Sequence, residues 1–333
     1  MNIGVIGAGS WGTTLAVLLH ENGHTVTLWS FVPADVETMR ATRRNLSYMP
    51  ELELPAALEV TDDISRAASG KDLLLLATPS QFLRGVLQQA AVYINGDPIL
   101  VNVAKGIETT TLLRMSELVA DCLPVSSPDR YSVLSGPSHA EEVAIGKATS
   151  VVAASVSADT VQAVQKAFMQ PAFRVYGSSD VIGVELGGSL KNVIAIGAGI
   201  CDGAGFGDNT KAALITRGIA EMRRLGIALG ADPHTFAGLS GLGDLIVTTM
   251  SRHSRNRHVG EEIGRGRTLA QILASMRMVA EGVDTTRSAH ALALRTGAEM
   301  PITHQMYHIL FDEKPPEVAV RDLMTRSARD EVW

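Results

Sequence analysis

Residues 2–19, NIGVIGAGSWGTTLAVLL, decide the fold. The apolar run Ile3 to Ile6 reads as a strand, and it ends on Gly7, Gly9 and Gly12 in a G-x-G-x-x-G turn that opens a helix from about Thr13 to Asn22, before Gly23. A second β-like run, Thr25 to Trp29, follows. In that setting the first glycine permits the tight turn, the second lets backbone approach a pyrophosphate, and the third lets helix and strand pack closely. The helix N-terminus adds amide donors and partial positive charge. A glycine turn with no ligand is the bland alternative, and the flanking strands argue against it. The second strand normally ends on an acidic residue for the ribose hydroxyl, whereas here it reads Trp29, Ser30, Phe31. Phe31 can lie against an adenine, and Arg40, Arg43 and Arg44 are candidates for a phosphate. The cofactor is therefore NAD or NADP, with a lean toward NAD.

Working outward, the same alternation of strand and helix continues to about Tyr176. Asp72 to Ala77, Ile99 to Val103, Ser132 to Leu134, Ser150 to Ala154 and Phe173 to Tyr176 are the further strands, and a helix runs from Ser80 to Val92. That order predicts an α/β domain with a doubly wound, mostly parallel sheet. Beyond Gly177 the segments Val181 to Cys201 and Lys211 to Leu229 are too long and too poor in β-branched residues for strands. The expected division is a dinucleotide-binding domain over 1–179 and an all-helical substrate domain over 180–333. A length of 333 residues suits two domains. With 46% hydrophobic residues and a net charge of −6, the chain is neither disordered nor a general nucleic-acid binder. Cys122 and Cys201 have no metal-site or disulfide spacing and read as core residues of a reducing compartment. The N-terminus lacks the cationic leader of a signal peptide, and no window offers about 18 uninterrupted apolar residues. The expectation is a cytoplasmic protein with no membrane span and, from the general habit of oligomers, a homodimer.

Candidate chemistry falls at strand ends and in the second half. ATPS (77–80) and NVAKG (102–106) lie where such sheets bind ligands. Lys105 is evenly balanced between an anion contact and an ordinary turn lysine. From Glu185 to Ile200 the small residues Gly187, Gly188, Ser189, Ala195, Gly197 and Gly199 allow close approach to a helix, at about 1 kcal/mol for each glycine. Lys191 lies among apolar neighbours, and composition alone favours a packed stem with its charge in water. SRHSRNRH (251–258) concentrates three arginines beside the glycine-rich GLSGLGD turn with no aromatic residue, which suits a discrete phosphate site better than nucleic acid. Arg255 offers a planar fork and Asn256 a donor beside it. His304 and His308 have helical metal spacing, yet HQMYH lacks the glutamate of H-E-x-x-H and a third ligand, so no metal is expected. Ser135 and Ser138 near His139 lack a G-x-S-x-G elbow, which argues against a hydrolase.

SGPSHAEEVA (135–144), ELGGSLKNVIAIGAGICDGAGFGDNTKAALITRG from Glu185, GLSGLGDLIVTTMSRHSRNRHVG from Gly238 and VAEGV from Val279 occur in that order. On these motifs the chain resembles the bacterial NAD(P)-dependent sn-glycerol-3-phosphate dehydrogenase family, from residue 1 to beyond 300. The resemblance implies a Rossmann-type N-terminal domain, a helical C-terminal domain and catalysis between them. It implies cofactor contacts from Ser10, Trp11, Lys105, Ala140, Arg255, Val279 and Glu281. For the substrate it implies Lys105, Gly136, Ser138, Lys191, Asp244, Ser254, Arg255 and Asn256, with Lys191 as the proton-transfer residue. Desolvation would lower the lysine pKa and suit it to that task. Asp244 has three open roles: orienting Lys191, accepting a substrate hydroxyl, or capping a helix after Gly243. The chain departs from the family at Phe31, where many members carry a basic residue. The implied reaction is hydride transfer between the nicotinamide and dihydroxyacetone phosphate, supplying glycerol 3-phosphate for phospholipid synthesis. Two alternatives stand beside it, a hydroxyacid or ketoacid reductase of similar build and a dinucleotide-sensing protein without turnover.

Overall fold

Short apolar runs buried on both faces build the sheet. A computed structural model describes residues 1–331 apart from Val125, Arg277 and Arg329. Its strands are β1 (Asn2–Ile6), β2 (Thr25–Trp29), β3 (Arg44–Asn45), β4 (Met49–Glu53), β5 (Glu59–Thr61), β6 (Leu73–Leu76), β7 (Ile99–Asn102), β8 (Tyr131–Ser135), β9 (Thr149–Ala154) and β10 (Phe173–Ser178). Eight of them form one sheet in the order β10-β9-β8-β7-β6-β1-β2-β5, while β3 and β4 pair separately as an antiparallel hairpin. The ladder is parallel throughout except between β8 and β9. Leu73 and Leu75 of β6 enter the core on one face, and Leu74 and Leu76 enter the core on the other. Every strand anticipated from the sequence lies in this sheet; β5 and the β3–β4 hairpin were not anticipated, being short and rich in charged residues.

Strand order sets the ligand crevice. The chain moves outward from β1 to β2 and β5, then returns to place β6 on the other side of β1, so β1 and β6 form the topological switch point. The helix after β1 spans Ser10–Glu21, three residues earlier than the expected start, because the glycine turn itself winds into its first turn.

Past β10 the described residues are helical. The organising element is the 24-residue helix Val181–Ala204, buried along most of its length. It is the one helix among the described residues long and apolar enough to cross a membrane, yet 94% of its apolar window is buried inside the protein, so it is a core helix. Its glycines find their use here. A Cβ at Gly199 would lie 1.9 Å from the Arg257 carbonyl, and one at Gly260 would lie 1.9 Å from the Ile196 carbonyl. The helix Arg255–Gly264 therefore rests backbone to backbone on the central helix, which fixes its N-terminus against the middle of that helix. The GLSGLGD segment, read as a turn, is instead a π-helical stretch, Leu239–Gly243, running directly into the helix Asp244–Met250. Close packing against Phe236 and Ser240 backbone at Gly241 and Gly187 lets it coil.

Glu185 ties the central helix to the sheet domain. Its carboxylate accepts from the Ser116 amide (2.7 Å), the Ser116 hydroxyl (2.8 Å), Tyr131 (2.6 Å) and Arg114 (2.7 Å). Burial raises both the Glu185 and the Tyr131 pKa, and at Glu185 the Arg114 charge and the hydrogen bonds oppose it.

Candidate functional site

The glycine turn fits a dinucleotide. Gly7 takes φ +121° and packs where a Cβ would meet the Ala77 carbonyl at 2.7 Å, while a Cβ at Gly12 would meet the Gly7 carbonyl at 1.9 Å. At Gly9 a Cβ would meet nothing within 4 Å, so the turn is tight everywhere except at the point where a pyrophosphate would approach. Gly9 is also the N-cap of the helix and provides no side chain to its first amides, which leaves them for an anion. The β3–β4 hairpin braces this turn. Asn45 donates to the Ala8 carbonyl and the Thr13 hydroxyl, both at 2.8 Å, and Ser10 donates to the Tyr48 carbonyl at 3.3 Å. Trp11 turns away, packing on Phe173 with ring centroids 6.3 Å apart.

The ends of β6, β7 and β8 and four of the later helices converge beside it. Lys105 follows β7 and sends its ammonium to the Gly136 carbonyl (3.0 Å) after β8 and to Asp244 Oδ2 (2.7 Å). Lys191, from the central helix, donates to Asp244 Oδ1 (2.6 Å) and to the Thr248 hydroxyl (2.7 Å). One buried carboxylate thus holds two ammonium groups. The reading of Lys191 with its charge in water is corrected: its side chain is 7% exposed. Burial drives its pKa down, Asp244 partly restores it and Lys105 lowers it again, leaving it at about 8. For Asp244 burial acts upward, but Lys105 and Lys191 together outweigh it and the carboxyl stays ionised below its usual range. The capping role for Asp244 is also corrected, because Gly243 is the N-cap and Asp244 is already helical with its carboxylate aimed at the lysines.

The remaining candidates surround this centre. Glu281 accepts from the amides of Ser80 (2.7 Å) and Lys105 (3.4 Å), joining the ends of β6 and β7 to the helix Glu281–Thr296. Asn256 accepts from the Gly282 amide (2.9 Å), and Arg255 donates to the Val279 carbonyl (2.8 Å). Ser254 caps the helix Arg255–Gly264 by accepting from the Arg257 amide. Ser138 donates to the Gly136 carbonyl (3.0 Å), and Ala140 opens a short helix after that loop. Phe31 stands apart, 71% exposed after β2. Three strand spacings, about 14 Å, separate β2 from β7. Arg43 does not serve a phosphate: its guanidinium binds the carbonyls of Leu54, Pro55 and Leu58.

Two polar partners escaped the sequence reading. Thr248 lies one turn after Asp244 in DLIVT, a spacing that could have flagged it, whereas Asn192, which donates to the Lys105 carbonyl (3.1 Å), carries no signal apart from adjoining Lys191. His304 does gain a neighbour, with its Nδ1 2.8 Å from that of His290, but no group of three side chains suited to a metal occurs among the described residues.

Family models for the N-terminus and C-terminus of NAD-dependent glycerol-3-phosphate dehydrogenase match residues 2–161 and 180–321. The chain belongs to that family. It is 55% identical to glycerol-3-phosphate dehydrogenase [NAD(P)+] of Geobacter sulfurreducens over 99% of both chains. It is 52% identical to the Chlorobium phaeobacteroides enzyme of that name, over 100% of this chain and 99% of the relative. Among solved structures, glycerol-3-phosphate dehydrogenase from Coxiella burnetii superposes with TM-score 0.93 at 37% identity, covering 98% of this chain and 99% of that one. A D-mandelate dehydrogenase, at TM-score 0.60 and 13% identity, shares the fold alone.

Proposed function

We propose that this glycerol-3-phosphate dehydrogenase family member catalyses reversible reduction of dihydroxyacetone phosphate to sn-glycerol 3-phosphate with NAD(P)H, feeding glycerophospholipid synthesis. The observation that carries the residue assignment is the buried Lys191–Asp244 pair, joined by the part-buried Lys105, beside a dinucleotide turn. When bound at that turn, the nicotinamide would supply or accept the hydride. Lys191 gives a proton to the developing alkoxide and recovers it in the oxidation direction; a pKa near 8 allows both at moderate pH. Asp244 and Thr248 hold the ammonium in one orientation. Lys105, Ser138 and the Gly136 backbone line the oxygen-bearing end of the substrate. The phosphate takes the N-terminus of the helix Arg255–Gly264, where the Arg255 guanidinium, the Asn256 NH2 group and the Ser254 hydroxyl add donors to the amides.

We further assign the dinucleotide-binding unit to residues 1–179 and the substrate unit to 180–333, the last two residues lying outside those described. Two unpaired cysteines support a cytoplasmic setting. The habit of closed symmetry supports a homodimer. The test is absorbance at the reduced-nicotinamide band with dihydroxyacetone phosphate or unphosphorylated dihydroxyacetone, for wild type and Lys191→Ala. Turnover of the phosphorylated ketone alone, falling by about 10²- to 10⁴-fold in the variant, is expected. Equal turnover of both ketones would remove the phosphate site, and a wild type that binds NADH without turnover would make the protein a sensor.

A further inference from the structure

The acidic residue that sequence reading sought after β2 is absent, but the fold brings a carboxylate to the same place from another strand. β5 runs parallel beside β2, with Trp29 opposite Thr61, so Asp62 follows β5 as Ser30 follows β2. The Ser30 amide donates to the Thr61 carbonyl (3.0 Å) and the Trp29 indole to the Asp62 carbonyl (3.0 Å), which anchors the Asp62 backbone beside the residue where adenosine ribose recognition normally occurs. The Asp62 carboxylate stays half exposed, 3.9 Å from Arg40.

The arginines of this segment differ in availability. Arg43 is committed to three carbonyls, and Arg44 to the Pro50 carbonyl and Glu53. Arg40 has only its Nε fixed, on the Val60 carbonyl (2.9 Å), so its outer nitrogens face Asp62 at long range.

We propose that Asp62 replaces the missing β2 carboxylate, accepting from the adenosine ribose hydroxyls and offsetting the charge of Arg40, and thereby selects NADH over NADPH. This rests on the dinucleotide reading above and adds the residue pair that decides the cofactor. A 2′-phosphate brings a charge of about −1.5 to −2. Beside the Asp62 carboxylate it is repelled, and the Arg40 guanidinium, 3.9 Å from Asp62, is shared with that carboxylate and not free for the phosphate. Removing the carboxylate charge reverses both effects, because Arg40 then faces the phosphate as an open fork.

Direct binding decides the matter independently of turnover. Titrate the full-length protein with NADH and with NADPH, following nicotinamide fluorescence, for wild type, Asp62→Asn, Arg40→Ala and the double variant. Wild type should bind NADH at least about tenfold more tightly than NADPH, the order of effect one extra like charge produces at a partly exposed site. Asp62→Asn should tighten NADPH about tenfold and weaken NADH severalfold, and the double variant should lose the NADPH gain. Arg40→Ala should weaken NADPH further. Equal wild-type affinities, or an Asp62→Asn variant in which both dinucleotides weaken alike, would overturn the assignment. If dihydroxyacetone phosphate is not turned over but these affinities follow the expected order, the substrate reading fails and this one stands. Absence of binding by either dinucleotide sinks both.

Discussion

Replacing Asp244 with Asn tests the triad most directly. The wild-type carboxylate receives Lys191 at 2.6 Å and Lys105 at 2.7 Å in a site almost closed to water. An amide keeps the shape and removes the charge, leaving the buried Lys191 ammonium near the part-buried one of Lys105. At an effective dielectric of about 20, a unit charge about 4 Å away contributes about 4 kcal/mol, or about three pKa units for Lys191 as an upper bound. Water entry reduces this, so a fall of about one to two units is expected. The sign follows from the chemistry. Ketone reduction needs protonated Lys191, so wild-type reduction declines as pH rises through about 8, while alcohol oxidation rises through the same region. In Asp244→Asn the reduction limb should move to about pH 6 to 7. At pH 7.5 protonation alone then costs about eightfold in rate for a limb near 6.5. The assay is the pH profile of kcat/KM in both directions, run at low temperature with circular dichroism as a check, since breaking a buried pair costs about 3–5 kcal/mol of stability. Lys105→Met supplies the opposite perturbation: it removes a like charge that lowers the Lys191 pKa, so its limb should move upward. A limb that stays near 8 in Asp244→Asn, or moves the same way in both variants, would refute the electrostatic account.

Other outcomes follow from the same geometry. Gly9→Ala places a methyl in open space and should leave the melting temperature unchanged while weakening NADH binding, whereas Gly260→Ala drives a Cβ into the Ile196 carbonyl and should cost about 2 kcal/mol or more in urea unfolding. Arg255→Ala should raise KM for dihydroxyacetone phosphate about 30-fold, the equivalent of about 2 kcal/mol for a charge-assisted contact, and should also weaken NADH in a fluorescence titration, since the same side chain holds the Val279 carbonyl. Glu185→Ala leaves Tyr131 and Arg114 without their buried acceptor and should destabilise by about 3 kcal/mol; an unchanged unfolding midpoint would remove its bridging role.

The sequence by itself determined seven of the eight strands of the main sheet, the glycine turn and the helical second half, because each is encoded by short-range patterns: short apolar runs bounded by turn residues, a turn no other residue tolerates at Gly7, and segments too long and too poor in β-branched residues for strands. Family motifs named Lys191 and Asp244, but their relation lay beyond any local pattern, since 53 residues separate them and Lys105 is 139 residues from Asp244. Only the packing of the central helix on strand ends could show that the two lysines share one carboxylate, and that desolvation rather than composition tunes Lys191. The glycines at 199 and 260 likewise looked costly in sequence and became necessary once two helix backbones had to touch. Asp62 is the same lesson at the cofactor end: strand order, set by how the whole sheet packs, put it beside Ser30, which sequence distance had concealed.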